Sequence, residues 1–115
     1  MTVEPRKRQH STSTAREAYR NACQQPSVLF HVTVQSKNVA DTLYLFIWDA
    51  VQLPPAGSPP NYPPLAVPPE SDRAADFSYG RQMDRGIVVA LSTTQDTFTK
   101  ASAADGWFDV VYAYQ

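Results

Sequence analysis

Two histidines, one cysteine and a scatter of carboxylates are the residues here with catalytic or metal-binding chemistry. His10 lies in a polar N-terminal stretch and His31 on the polar face of an expected strand. Neither has a partner at a metal-site spacing such as His-x-x-x-His. Cys23 stands alone, which excludes an intrachain disulfide and any cysteine-based zinc site. Asp72 with Asp76, and Asp105 with Asp109, have the look of acid–base pairs. They fall at turns and strand edges, where solvation accounts for them. Gly57, Gly80, Gly86 and Gly106 are dispersed, so no loop cradles a phosphate, and no Gly-x-Ser-x-Gly elbow occurs. The expectation is a non-enzymatic chain with no catalytic residue, no cofactor and no metal.

Recognition chemistry is better represented. Pro59-Pro60-Asn61-Tyr62 matches the Pro-Pro-x-Tyr ligand of WW domains, and Pro60 to Pro63 matches Pro-x-x-Pro. Both patterns work because a preformed polyproline helix loses little entropy on docking. The competing reading is a stiff loop packed on its own sheet or on a neighbour. A second candidate is the basic leader containing Arg6, Lys7 and Arg8. Residues 1–20 carry +3 and residues 21–115 carry −4, so a mildly acidic body follows a basic leader. Such a leader is either a solvated tail or an arm that docks on an acidic neighbour, including another copy of the same body. With a net charge of −1, no nucleic-acid partner is expected.

These residues need elements to position them. The 115 residues suit one domain, and 43% hydrophobic residues supply a core. Ala15, Ala18, Tyr19, Ala22 and Cys23 form a helical stripe, and Thr14 with Glu17 has capping-box spacing. A short helix or an extended arm is expected there, giving an N-terminal unit over 1–25. Val28 to Gln35 then alternates with period two, as a strand with one buried face does. Thr42 to Trp48 is apolar on both faces and must be covered on both, the second time by a loop or another subunit. Eight of the ten prolines fall in residues 53–69, in four pairs. They forbid helix and central strand, so a long proline-rich surface loop is expected. Asp76 to Tyr79 should bury Phe77 and Tyr79, and Gly86 to Ser92 reads as a core strand. Asp105-Gly106 signals a hairpin joining Thr97–Ala101 to Trp107–Tyr114. The class is all-β, a small β-sandwich or jelly-roll-like domain over 26–115. The longest apolar run, Leu43 to Trp48, is too short to cross a bilayer, no secretory signal is expected, and no membrane partner is expected.

A resemblance is carried by residues 29–114. It runs through Tyr44-Leu45-Phe46-Ile47-Trp48-Asp49-Ala50, Leu53-Pro54, the proline-rich link, Phe77-Ser78-Tyr79-Gly80-Arg81, Gly86 to Thr94, and Trp107-Phe108-Asp109-Val110. This order resembles small virion-associated proteins of tailed bacteriophages, of the capsid cement or decoration type. The resemblance implies a β-rich module made in the bacterial cytoplasm and bound in many copies to the capsid surface. Its partners would be the major capsid protein and copies of itself, often as a homo-trimer. The basic leader and the Pro-Pro repeat lie outside that pattern. The residues expected to make contact are Arg6, Lys7, Arg8, Pro59, Pro60, Tyr62, Pro63, Pro64 and Leu65. The alternatives are a low-copy tail or head-fibre module that binds a host glycan or protein, and an adaptor using its proline motif.

Overall fold

The period-two patterns become eight strands in the computed structural model, which describes residues 7–115. They are β1 (Gln9–Thr12), β2 (Tyr19–Cys23), β3 (Ser27–Ser36), β4 (Leu43–Trp48), β5 (Leu65–Val67), β6 (Asp72–Met83), β7 (Ile87–Ser92) and β8 (Gly106–Tyr114). Two antiparallel four-stranded sheets result, ordered β1-β8-β3-β6 and β2-β7-β4-β5. The first strand pairs with the eighth, the second with the seventh, the third with the sixth and the fourth with the fifth. The chain is thus one long hairpin rolled up, which is the strand order of a jelly roll. The all-β sandwich expected from sequence is present.

The hairpin's tip is the connection over 49–64, which holds six of the ten prolines. Its prolines cannot serve a ladder, and the one strand that forms nearby sits at a sheet edge. β5 is three residues long, bracketed by Pro64 and Pro68.

Inward residues of both sheets build the main core. Leu29, Val32, Val34, Phe108 and Val110 from one sheet meet Leu43, Leu45, Val89 and Leu91 from the other, all essentially inaccessible. Each such side chain contributes about 1.5–3 kcal/mol by leaving water. The alternation in β3 is broken by a bulge between Leu29 and His31. The bulge keeps Leu29 in phase with Val32 and turns Phe30 outward.

A second apolar cluster lies on the outer face of β4 and β7. Phe46, Trp48, Val88 and Ala90 are covered by Phe98, with Leu53 and Tyr19 at the margin. Phe98 meets Trp48 edge-on at 5.1 Å between ring centroids. The cover expected from a loop or another subunit is therefore the chain's own. The segment after β7 is strapped to the proline loop by Gly57 N–H donating to the Phe98 carbonyl (2.8 Å) and Phe98 N–H donating to the Ser58 carbonyl (2.9 Å).

Several expectations are corrected. Residues 14–23 form no helix: Tyr19–Cys23 is β2, hydrogen-bonded along β7. The helix-cap chemistry is used otherwise. Ser13 Oγ donates to Glu17 and accepts from Phe108 N–H (2.9 Å), pinning the β1–β2 crossover to β8. Residues 9–23, expected as an arm, supply one edge strand to each sheet. Their apolar residues are few, so tertiary pairing decides where helix propensity is marginal. Thr97–Ala101 is not a hairpin strand; one isolated bridge, Ser92 to Lys100, forms there, and β8 pairs with β1 and β3. Tyr79, expected to be buried, is fully exposed.

Candidate functional site

β6 is the edge of its sheet, and it carries an insertion that no regular strand would. Between the pairs Leu29↔Arg81 and His31↔Asp76, residues 77–80 of β6 stand opposite the single residue Phe30. The chain bulges outward, and Gly80 makes this possible at φ +82°, a left-handed conformation that disfavours side chains. A Cβ at that position would also lie 2.5 Å from Val28 Cγ1. At the crest, Tyr79 has a relative exposure of 102%, the highest of the large apolar side chains among the described residues. Bulges on edges commonly re-aim a side chain.

Both flanks of the bulge are lined by residues singled out in the sequence. On one flank Arg8 lays its guanidinium 4.2 Å from the centre of the Phe30 ring, beside His31 and Phe77, around a cavity of about 320 Å³. On the other, Tyr62, Pro63, Pro64 and Leu65 border a cavity of about 320 Å³ against Phe77 and Arg81. Arg81 there lies 4.7 Å from the Tyr62 ring centre and 5.4 Å from that of Phe77. Such cation–aromatic contacts contribute about 0.5–1 kcal/mol each at exposed sites. Phe77 and Asp76 border both cavities. Tyr62 is held from below, its hydroxyl donating to Met83 Sδ at 3.2 Å. Burial raises that hydroxyl's pKa above the usual tyrosine value, and the Arg81 charge partly offsets the rise.

The proline loop owes its position to Asp49, just after β4. Its carboxylate accepts from the backbone N–H of Asp84 (3.0 Å), Arg85 (2.8 Å) and Gly86 (3.3 Å), which ties the start of the loop to the β6–β7 turn. Asn61 Oδ1 accepts from Asp49 N–H at 2.8 Å and closes the loop's far end. Trp48 Nε1–H donates to the Pro59 carbonyl at 2.9 Å.

Not every expected residue joins the site. Arg6 lies outside the described residues. Lys7 is exposed, the Pro59 carbonyl is taken by Trp48, and neither Pro59 nor Pro60 lines the two cavities beside the bulge. The Pro-Pro-Asn-Tyr segment is engaged internally at Pro59, Asn61 and Tyr62, so it is not a free WW ligand. Sequence reasoning missed Phe30, Tyr79 and Arg81. The available signal was Gly80 inside an otherwise strand-like run, which marks a bulge.

Two cross-strand pairs add polar chemistry on this face. His10 Nδ1 is 3.4 Å from Asp109, which also accepts from Thr12 Oγ1 at 2.6 Å. His31 Nδ1 lies 3.5 Å from Asp76, while its Nε2 is 3.1 Å from Thr33 Oγ1. That second order is carboxylate, imidazole, hydroxyl, the order of a hydrolytic triad. The first gap exceeds a good hydrogen bond. Thr33 also sits in register between Asp109 and Ala74, inside a paired ladder that leaves no local N–H pair to hold an oxyanion. Among the described residues no group of three or more His, Cys, Asp or Glu side chains is placed to hold a metal.

No protein-family model, no curated protein and no solved structure matches this chain.

Proposed function

We propose that this chain is a structural virion protein, a cement or decoration protein that docks on the capsid shell of a tailed phage and stabilises it without catalysis. Its site of action is the capsid surface, after synthesis in the bacterial cytoplasm. Its partners are the major capsid protein and copies of itself. The observation that carries this reading is the convergence of Arg8 and the Tyr62–Leu65 segment on the two flanks of a bulge that displays Tyr79. A single exposed tyrosine between two arginine-capped aromatic clefts has the composition of an interaction hot spot. The jelly-roll order supports the reading by architecture, since viral capsid domains use it.

The physics suits a cement. A ligand that binds only the assembled shell stabilises it by mass action, and many copies multiply a modest contact. The proline loop is fixed at both ends before docking, so little entropy is lost on contact. Tyr79→Ala should leave the unfolding free energy within about 0.5 kcal/mol, because the ring touches solvent only. The same change should weaken binding to purified shells about 30-fold, the loss of one hot-spot residue. Binding measured by co-sedimentation at wild-type affinity would remove the bulge from the docking surface.

A further inference from the structure

On the opposite side of the sandwich, where β1 lies beside β2, a different surface is built. β2 is the edge of its sheet, paired on one side with β7. Leu91 N–H donates to the Ala18 carbonyl, and Tyr19 stands opposite Ala90. By strand alternation this turns the N–H and C=O groups of Tyr19 and Asn21 away from β7, toward open space. Beside them is a cavity of about 400 Å³ whose charged lining is Arg16, Arg20, Lys100 and Glu17. Glu17 is already engaged, since its Oε2 accepts from Ser13 and from Arg20 Nη1 at 2.9 Å. Arg20 is held in place a second time by its Nε–H donating to Ser11 Oγ at 2.8 Å. Arg16 and Lys100 are exposed, and neither has an ion-pair partner among the described residues. Three cations against one occupied carboxylate, in a chain of net charge −1, is a local concentration of positive charge and not a consequence of composition.

We infer that the β2 edge is a docking site for an extended acidic segment of a partner protein. The segment adds as a further strand beside β2. Its backbone pairs with Tyr19 and Asn21, and its carboxylates face Arg16, Arg20 and Lys100. Charge at an edge normally repels stray strands. Here the balance of charge is positive, so an acidic strand is admitted and a basic one refused. The inference does not depend on the virion reading. If both hold, the module has contact surfaces on opposite sides and can bridge two neighbours.

The test uses two synthetic peptides, one of alternating Thr and Glu and one of alternating Thr and Lys, titrated into the full chain at low salt. The acidic peptide should bind, weaken as salt rises, and slow amide exchange at Tyr19 and Asn21. The double variant Arg16→Glu with Lys100→Glu should weaken it about tenfold, as expected when two exposed ion pairs become repulsive. Asn21→Pro removes an outward N–H that β7 does not use, so it should weaken binding while the melting temperature holds. The charge variant carries the test alone if the proline variant fails to fold. Equal binding of both peptides, no binding at low salt, or wild-type affinity in a folded Asn21→Pro variant would overturn the inference. Sedimentation showing the edge occupied by a second copy of the chain would overturn it as well.

Discussion

Phe98→Ala should lower the unfolding free energy by about 3–5 kcal/mol, the range for emptying a buried aromatic site. Phe98 is 2% exposed, although it lies outside every strand. It packs on both Phe46, at 6.1 Å between ring centroids, and Trp48, and it is the principal cover over the outer face of β4. Its truncation opens a void that a strap fixed at two backbone hydrogen bonds cannot collapse to fill. The loss should also release the proline loop locally, because Gly57 and Ser58 are bonded to the Phe98 backbone. Denaturant unfolding measures the first effect, and faster proteolytic nicking within residues 53–69 measures the second. A loss under about 1 kcal/mol would mean that this face is covered some other way.

Gly86→Ala is expected to cost about 3 kcal/mol, at the upper end of overpacking penalties. A Cβ there would lie 2.4 Å from the Cys23 carbonyl oxygen and 2.7 Å from that of Ala50. Both obstacles are backbone, so no rotamer change relieves them. The crowding follows from the roll, since the β2–β3 turn, the start of the proline loop and the β6–β7 turn meet at one end of the sandwich. Asp49 binds the same corner through three backbone donors, so displacing Gly86 strains that cluster too. A melting temperature equal to wild type would show that this corner yields more easily than its contacts imply.

The legible parts of the sequence were those where one residue pattern has one physical outcome. β3, β4, β7 and β8 follow from alternation and apolar runs, and the proline loop from missing amide donors. The illegible parts are set by distant partners. β1 is a polar tetrapeptide whose strand character comes from β8, nearly a hundred residues later. β2 carries a helical stripe, yet Ala18, Ala22 and Cys23 are buried by sheet neighbours. The turn before β8 spans Ser102–Asp105, one step ahead of the expected Asp105-Gly106, and Gly106 is already in β8. The turn delivers β8 to β3 and β1 instead of to Thr97–Ala101, because Phe98 is taken up by the aromatic face.

The candidate site was half legible for the same reason. Arg8 and Tyr62–Leu65 stood out by composition, and the structure brings them to one strand. That strand's own contribution was hidden, because exposing Tyr79 depends on the register of β6 against β3. Period-two reading assigns Tyr79 and Phe77 to one face. The bulge breaks the phase, leaving Phe77 half-buried and Tyr79 in solvent.

The proposed role as a shell cement sets the stoichiometry of this chain in particles. Quantitative mass spectrometry of particles purified from the native source gives the ratio of this chain to the major shell subunit. A lattice-bound cement predicts a copy number comparable to that of the subunit it binds, because its effect depends on occupying repeated sites. A handful of copies per particle, or none, would contradict that role.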